Sequence, residues 1–269
     1  MSEYPFDNAS TAASTRMSSL EASFDENTAD VLDRLGIAPG WRCLEVGAGG
    51  GSVARWMAGA VGPTGHVLAT DIDTRLLADI ASDNLEVRRH DVLTEDLPAG
   101  EFDLIHSRLV LIHHPGRDQA LTKLVEALAP GGLLVLEEIL PHEQVVLREP
   151  WTGAAEAFWA VQSRVLAELT ARGSDTRWAL SLPELYAGNG LTGIGSKRVC
   201  PAEWPGGGAG ARLLAANIAE LREALVDRGA SASELDTFTG LLADPGFAVS
   251  SYPMMSVWGT KPGASERDH

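Results

Sequence analysis

Residues 41–58 read WRCLEVGAGGGSVARWMA, and this stretch decides the fold. A short apolar run that ends at Val46 is followed by four glycines within five positions, after which apolar residues recur at helical spacing. This order predicts a strand, a tight loop and a helix. Each glycine costs roughly 0.5–1 kcal/mol in ordered structure, so the four together indicate a loop that brings bare backbone close to a ligand.

The residues around the loop indicate which kind of ligand it binds. Counted from Gly47, the last small residue of a dinucleotide fingerprint falls on Ser52, so the match to that fingerprint is imperfect. Glu45 lies two residues before the first glycine, where a carboxylate repels a pyrophosphate and favours a cation. Asp71 ends the next apolar run and is placed to accept hydrogen bonds from a ribose. The pattern indicates a positively charged adenosine derivative that carries no phosphate.

The glycine loop and four later motifs resemble those of class I S-adenosylmethionine-dependent methyltransferases of the small-molecule, natural-product type. The five motifs follow the order of that family and occupy residues 45–51, 69–72, 89–92, 102–108 and 130–137. The resemblance implies that the cofactor is S-adenosyl-L-methionine and that the reaction is methyl transfer. It covers the chain from about residue 30 to about residue 140.

The same resemblance implies which residues bind the cofactor. They are Glu45, Gly47, Gly49, Asp71, Ile72, Asp91, Val92 and Ser107. Asp71 is expected to bind the ribose and Asp91 the adenine amino group. Val92 is expected to donate its backbone N–H to the adenine, against which Ile72 packs. Ser107 is expected to offer its backbone carbonyl to the ammonium group.

Three histidines are candidates for a general base. If the acceptor is a hydroxyl or a phenol, a histidine that removes its proton adds roughly 10²–10⁴-fold to the rate. His113 and His114 follow the fourth strand and are the first candidates as catalytic residues, and His142 is the next. A packing or hydrogen-bonding role is open for each of them. No metal site is expected, because the chain has two cysteines and no CxxC pair.

Two further assignments stay open at this point. Arg108 is suited either to an acidic substrate or to an ion pair with Glu137 or Glu138. Large aromatic side chains beyond the fifth strand can line an acceptor pocket or belong to the core, and these are Trp151, Phe158, Trp159, Trp178 and Trp204.

Short apolar strands alternate with helices along the chain, which predicts an α/β fold with a Rossmann-like, doubly wound parallel sheet of seven strands. The core of this sheet is expected over residues 25–141, and the chain returns to it over 181–204 and 246–262. Helical patterns interrupt the alternation after strands five and six. We expect residues 142–180 and 205–245 to form one helical cap with the acceptor pocket beneath it.

The N-terminal residues 1–24 are expected to include a short helix from Arg16 and to act as a lid across the cofactor cleft, with Tyr4 and Phe6 as anchors. A helix that only covers the sheet edge is the alternative. Asp25 or Asn27 is expected to begin a second, separate helix there.

Composition narrows the class of partner. The chain has 269 residues with a formal net charge of −16, which argues against nucleic acid or an anionic membrane as a partner. No apolar run is long enough to cross a bilayer and no secretory leader is evident, so a cytoplasmic protein with two buried free thiols is expected. A homodimer is left open.

The sequence thus favours a methyltransferase that transfers a methyl group to a small organic acceptor in secondary metabolism. Transfer to oxygen is favoured, and transfer to nitrogen or carbon is open. Two alternatives remain: an NAD-dependent oxidoreductase, and a protein that binds S-adenosylmethionine for another role, such as a cyclase.

Overall fold

The computed structural model describes residues 11–263, with side chains from residue 16 onward. Tyr4 and Phe6 therefore lie outside the described residues. The helices are α1 (Thr11–Leu35), α2 (Ser52–Val61), α3 (Arg117–Ala127), α4 (Ala154–Ala171), α5 (Leu182–Gly188), α6 (Ala209–Asp227) and α7 (Ala232–Ala243). The strands are β1 (Arg42–Val46), β2 (His66–Asp71), β3 (Leu85–Arg89), β4 (Phe102–Arg108), β5 (Leu128–Ile139), β6 (Val146–Arg148), β7 (Thr192–Val199), β8 (Glu203–Pro205), β9 (Ala248–Ser250) and β10 (Met254–Thr260).

Seven strands form the main sheet in the order β3-β2-β1-β4-β5-β10-β7, which confirms the expected α/β fold. The strands β1 to β5 are parallel, but β10 is antiparallel to both β5 and β7, whereas the sequence predicted a parallel sheet throughout. The reason is the short connection before β10. Strand β9 ends at Ser250 and β10 begins at Met254, opposite Ile139 at the carboxyl end of β5. A parallel strand would need a crossover of a dozen or more residues.

Helices cover both faces of the sheet. On one face, Leu44 and Ile105 pack with Leu121 of α3 and Tyr186 of α5. On the other face, a separate cluster joins Cys43, Leu104 and Val135 of the strands to Met57 of α2 and Leu32 of α1. Successive strand residues alternate between these two clusters because side chains alternate across a sheet. The carboxyl ends of the strands are left for ligands.

A third hydrophobic core lies among α4, α6 and α7. Phe158 stacks on Phe238 with a centroid distance of 5.3 Å and also contacts Phe247. Helix α7 follows Ser231, which forms a capping box with Glu234. The sequence did not predict the three-stranded sheet β6-β9-β8 beside these helices, since its strands have only three residues each and carry no periodic signal.

Helix α1 is continuous, whereas the sequence analysis expected a new helix to begin at Asp25 or Asn27. Phe24, Thr28 and Val31 are all buried and repeat at helical spacing through the expected break. The side chain of Asp25 does not cap a helix but accepts a hydrogen bond from Arg108 at the end of β4. Phe24 packs in the third core and Val31 against the main sheet, so α1 connects the two layers.

A 3₁₀ turn over Thr74–Leu77 follows β2, and Asp73 caps it by accepting a hydrogen bond from the backbone N–H of Arg75. One expectation about the cysteines is corrected. Cys43 is buried as expected, but Cys200 is exposed. Cys200 follows the edge strand β7, where one face of the strand meets solvent.

Candidate active site

A cavity of ≈ 380 Å³ lies at the carboxyl ends of the central strands. One part of its wall, here called the loop wall, includes Gly47, Gly49, Asp71, Ile72 and Asp91. Another part, here called the helix wall, consists of Leu20, Val165, Leu166, Leu169 and Leu213 from α1, α4 and α6. The cavity therefore joins the glycine loop to an apolar surface that three helices supply.

The glycine loop adopts a conformation that other residues rarely reach. Gly47, Gly49 and Gly51 have φ angles of 69°, 55° and 81°, in the left-handed region that favours glycine. A Cβ atom on Gly47 would overlap the side chain of Val110, which follows β4. The tight glycine turn that the sequence predicted is confirmed, and Gly47 also leaves the space that the side chain of Val110 occupies.

Helix α1 covers part of this loop. A Cβ atom on Gly49 would lie 3.1 Å from Sδ of Met17, and one on Gly50 would overlap the carboxylate of Glu21. Arg16, Met17 and Glu21 also line the cavity. The described part of the expected lid segment therefore lies at the cavity wall.

Asp71 connects the end of β2 to the glycine loop. Its Oδ2 accepts a hydrogen bond from the backbone N–H of Gly49 at 2.9 Å, and its Oδ1 accepts one from Asp73 at 3.0 Å. Burial raises the pKa of the Asp71 carboxyl above its ordinary value, against the effect of these hydrogen bonds. A carboxylate has about four acceptor positions, so Asp71 can hold the loop and still accept from a ligand.

The other predicted cofactor residues of the loop wall lie close to the end of β3. Asp91 accepts hydrogen bonds from the backbone of Leu93 at 2.9 Å and from the hydroxyl of Thr94 at 2.8 Å. Burial opposes ionisation, but these bonds hold the pKa of Asp91 below its ordinary value. Val92 is buried, whereas Ile72 has 44% of its surface exposed and presents an apolar face to the cavity.

Ser107 is the one predicted cofactor residue that does not line the cavity. It is buried in β4, and its hydroxyl donates a hydrogen bond to the backbone carbonyl of Val46 at 3.0 Å. Val46 and Arg108, its neighbours in space and in sequence, do line the cavity.

Glu45 lines the cavity and belongs to a buried polar network. Its Oε2 lies 2.6 Å from Nδ1 of His106, and Nε2 of the same imidazole lies 3.3 Å from Oε2 of Glu137. Burial disfavours the charged imidazole, yet the two carboxylates raise the pKa of His106 to about 9. Glu137 also accepts hydrogen bonds from the hydroxyls of Thr28 and Ser256. His106 is thus a buried cation between two acids.

His106 was not among the predicted functional residues. The available signal was a histidine that directly follows two apolar residues of β4, and the structure pairs it with Glu45 of β1. Burial also raises the pKa of the Glu45 carboxyl, with the charge of His106 opposing this effect. The carboxylate at the cavity is therefore held from behind by a protonated imidazole.

Arg108 pairs with Asp25 and not with either acid that the sequence suggested. Its Nη2 donates to Oδ1 of Asp25 at 2.8 Å, and its Nη1 donates to the hydroxyl of Thr28 at 2.8 Å. Both partners are on α1, which the sequence analysis had treated as two separate segments. Arg108 therefore ties the end of β4 to α1 at the cavity wall.

His113 and His114 both line the cavity, but they face different neighbours. Nδ1 of His113 lies 3.2 Å from the hydroxyl of Ser174, and burial lowers the pKa of His113 to about 3. Burial also lowers the pKa of His114, which the charge of Asp91 opposes. His142 is hydrogen-bonded to Thr176 at 2.7 Å and is not part of the wall.

Glu138 fixes the turn that carries these histidines. Its Oε1 accepts a hydrogen bond from the backbone N–H of Ile112 at 3.1 Å. The side chain is 1% exposed, and burial raises its pKa to about 8. Glu138 is therefore largely protonated at neutral pH and acts as a neutral support for His113.

The helix wall is aliphatic and contains none of the aromatic side chains that the sequence left open. Phe158, Trp178 and Trp204 are buried in the cores, and Trp151 is 44% exposed. The core interpretation is thus the correct one for the three buried residues.

Residues 11–263 contain neither a group of side chains suited to a metal ion nor a helix suited to cross a membrane. No cluster of three or more histidine, cysteine or acidic side chains is arranged to hold a metal ion there. In the same residues, no helix combines the length and the apolar character needed to span a membrane.

The site fits S-adenosylmethionine. Gly47 and Gly49 line the cavity without side chains, Asp71 ends the second strand, and buried Glu45 presents a carboxylate to the cavity. A seven-stranded sheet of this order, with such a loop after β1, defines the fold of class I S-adenosylmethionine-dependent methyltransferases. The family model for a methyltransferase domain matches residues 20–172, more than half of the chain, and the chain belongs to this family. The resemblance drawn from the sequence is confirmed, and the family's cofactor is S-adenosyl-L-methionine.

A curated relative with similar sequence is also a methyltransferase. The chain is 35% identical over 114 residues to the ubiquinone/menaquinone biosynthesis C-methyltransferase UbiE of Laribacter hongkongensis, a match that covers 39% of this chain and 46% of that protein. The chain thus spans about half the length of the curated relative. Family membership favours a methyltransferase over an NAD-dependent oxidoreductase.

Solved structures share the fold at low sequence identity. A phosphoethanolamine N-methyltransferase 2 of Haemonchus contortus aligns with a TM-score of 0.55 at 17% identity, over 89% of this chain and 53% of that chain. The [4+2]-cyclase SpnF aligns with a TM-score of 0.53 at 17% identity, over 89% of this chain and 81% of that chain. These likenesses concern the fold alone.

Proposed function

We propose that the protein is an S-adenosylmethionine-dependent methyltransferase that acts on a small organic acceptor. The observation that carries this proposal is a single cavity whose wall includes both the glycine loop and the aliphatic side chains of α4 and α6. A cofactor at the loop wall and an acceptor at the helix wall would share that space. Fixed orientation of two reactants is worth an effective molarity of roughly 10⁵–10⁸ M.

Residues of the loop wall would hold the cofactor, which supplies a methyl group on a sulfonium when bound. Those proposed are Glu45, Gly47, Gly49, Asp71, Ile72, Asp91 and Val92. Ser107 does not line the cavity and is proposed as a further contact through its backbone carbonyl. Asp71 and Asp91 accept hydrogen bonds from the ribose and the adenine, and each bond to a charged group contributes roughly 1.5–3 kcal/mol. Glu45 favours a cationic ligand over a diphosphate.

We favour transfer to a hydroxyl oxygen of the acceptor, with His113 as the residue that takes the hydroxyl proton. His113 faces Ser174, whereas His114 is coupled to Asp91 of the loop wall. The low pKa of His113 keeps its imidazole neutral, the form that can accept a proton. A base this weak lies far from the ideal pKa near the operating pH, so it can take the proton only after the new bond has made the oxygen strongly acidic. His113 therefore orients the hydroxyl and takes its proton late.

Transfer to carbon is the second candidate. It is supported by the similarity to UbiE, which is named as a C-methyltransferase. Transfer to nitrogen and the placement in secondary metabolism belong to the proposal as well, and they rest on the sequence resemblance alone.

The test is methyl transfer from isotopically labelled cofactor. The purified protein is incubated with ¹³C-methyl S-adenosylmethionine and fractionated small-molecule extracts, and both S-adenosylhomocysteine and labelled products are measured by mass spectrometry. We expect both to form together, and the Asp71→Asn variant to form much less of both at a cofactor concentration near the dissociation constant of the wild type. Cofactor binding without either product, across acceptors, would instead support a role like that of a cyclase.

A further inference from the structure

One buried amide in the cavity wall has no protein partner. Asn217 of α6 is 9% exposed and lines the cavity. Its Oδ1 is buried and accepts no hydrogen bond from the residues that the structure describes. A buried carbonyl oxygen without a donor lowers stability, so a residue of this kind calls for an explanation in function.

The surroundings of Asn217 are mostly apolar. Leu213 lies one helical turn before it on α6 and belongs to the helix wall, together with Leu166 and Leu169 of α4. An aliphatic surface binds the carbon skeleton of a ligand, and a few well-placed polar groups fix its orientation. Asn217 supplies such a group on the α6 side of the wall.

The charges near Asn217 are compensated. Nη1 of Arg16 lies 2.9 Å from Oε2 of Glu220, which is one turn beyond Asn217 on the same face of α6. Arg108 pairs with Asp25, and burial keeps His113 neutral by lowering its pKa to about 3. A charged group at the helix wall would lose its hydration, and the paired side chains there give it no counter-charge, so a neutral molecule fits this wall best.

We propose that Asn217 determines acceptor specificity by accepting, at Oδ1, a hydrogen bond from a neutral donor group on an otherwise apolar acceptor. The donor is a hydroxyl or an N–H, which share this chemistry. The inference rests on the proposed function, since it assumes that the helix wall binds the acceptor. It adds the class of acceptor, an uncharged and largely apolar molecule with at least one hydrogen-bond donor.

Stability without any ligand provides the first test. Asn217→Leu removes a buried oxygen that has no partner, so the melting temperature is expected to stay the same or to rise. The matched control is Gln162→Leu, because Gln162 is also buried but donates hydrogen bonds to Gln144 at 3.2 Å and to Tyr252 at 3.3 Å. The control is expected to melt at a lower temperature. A clear fall for Asn217→Leu as well would mean that Asn217 has a structural role, and the inference would fail.

Ligand discrimination provides the second test. The protein is saturated with S-adenosylhomocysteine, and titration calorimetry compares 2-naphthol, which carries one hydroxyl donor, with 2-fluoronaphthalene, which carries none. We expect about tenfold tighter binding of 2-naphthol to the wild type, as one buried hydrogen bond provides. Asn217→Leu is expected to bind both probes and to lose the preference.

The outcomes separate this inference from the proposed function. A protein that does not bind S-adenosylhomocysteine contradicts the proposed function. A protein that binds it, but binds the two probes equally or binds neither, contradicts only the role of Asn217. A preference that persists in Asn217→Leu contradicts that role as well.

Discussion

Nδ1 of His106 lies 2.6 Å from Oε2 of Glu45, across the pairing of β4 with β1. Both side chains are almost completely buried, and Glu137 faces the other nitrogen of the same ring. Two buried carboxylates would repel each other without the cation between them. The contact between Glu45 and His106 therefore links β1 to β4 and fixes the position of the Glu45 carboxylate at the cavity.

The first prediction concerns the pH dependence of stability. His106 keeps its proton up to about pH 9 in the folded protein, while its ordinary pKa is 6.5. Its contribution to stability is therefore complete below pH 6.5 and is lost as the pH rises through 9. The difference between these two pKa values corresponds to a free energy on the order of 3 kcal/mol. Urea unfolding of the wild type at pH 6, 7, 8 and 9 should show this decline.

The variant His106→Asn should reduce that decline, leaving the part that Glu138 contributes below pH 8, and lower the free energy of unfolding at pH 6 by roughly 3–5 kcal/mol, because two buried carboxylates lose their partner. The control is His66→Asn, since the side chain of His66 is 37% exposed and lies 3.7 Å from Glu86 at the surface. It should change stability by less than about 1 kcal/mol. An unaltered pH slope in His106→Asn would show that its imidazole is not the bridging cation.

A second prediction concerns the shape of the glycine loop. Gly47→Ala introduces a Cβ that overlaps Val110 and places alanine at a φ angle of 69°. We expect binding of S-adenosylhomocysteine to fall by at least tenfold, measured by calorimetry. Gly47→Ala with Val110→Ala should recover only part of the loss, because the overlap is relieved and the backbone strain of about 1 kcal/mol or more remains.

Gly59→Ala is the matched control for the loop variant. Gly59 lies inside α2 with open space at its Cβ, so alanine should raise stability by roughly 0.5–1 kcal/mol and leave binding unchanged. Equal binding by the wild type and Gly47→Ala would mean that the ligand does not approach this loop.

Much of the fold and of the loop wall could be predicted from the sequence, because local patterns encode them. The glycines between β1 and α2 and the acid at the end of β2 are separated by fixed, short distances. The positive φ angles of the glycines follow from those positions, and so does the hydrogen bond that Asp71 accepts from the backbone N–H of Gly49. The direction of β10 could not be predicted, since it depends on where the preceding segment leaves the third core.

Long-range pairs of polar groups were equally inaccessible. Arg108 meets Asp25 only because α1 runs unbroken over the end of β4. Asn217 carries no motif, and its significance depends on the lack of a donor around its oxygen within the described residues. Such roles depend on three-dimensional packing, which a single sequence does not encode in its local spacing.

A third prediction concerns Glu138. The folded protein keeps this carboxyl protonated up to about pH 8, while its ordinary pKa is 4.5, so its neutral state favours folding at low pH and this effect is lost as the pH rises from 4.5 to 8. Glu138→Gln keeps an acceptor for Ile112 and should make stability less dependent on pH in that window. Chemical unfolding across pH 4.5–8 measures this.

Glu138→Leu is the informative comparison. It leaves the backbone N–H of Ile112 without its acceptor and should be less stable than Glu138→Gln by about 1–3 kcal/mol at every pH. If Glu138→Gln and the wild type had the same pH slope, the protonated state of Glu138 would be refuted.

A fourth prediction concerns the proposed ribose contact. Asp71→Asn removes a charged acceptor and should weaken binding of S-adenosylhomocysteine by roughly ten- to a hundredfold. Asp73→Asn is the control, because Asp73 caps the adjacent 3₁₀ turn and does not line the cavity. The affinity of Asp73→Asn for S-adenosylhomocysteine should stay within about twofold of the wild-type value, a difference of roughly 0.4 kcal/mol. Comparable losses in both variants would indicate a general disturbance of the loop.

The central claim is that this cavity binds a cationic nucleoside cofactor. Isothermal titration calorimetry of the wild-type protein with S-adenosylmethionine, and separately with NAD, tests it most directly. The account predicts saturable binding of one S-adenosylmethionine per chain and no measurable heat with NAD. Saturable binding of NAD together with no binding of S-adenosylmethionine would contradict it.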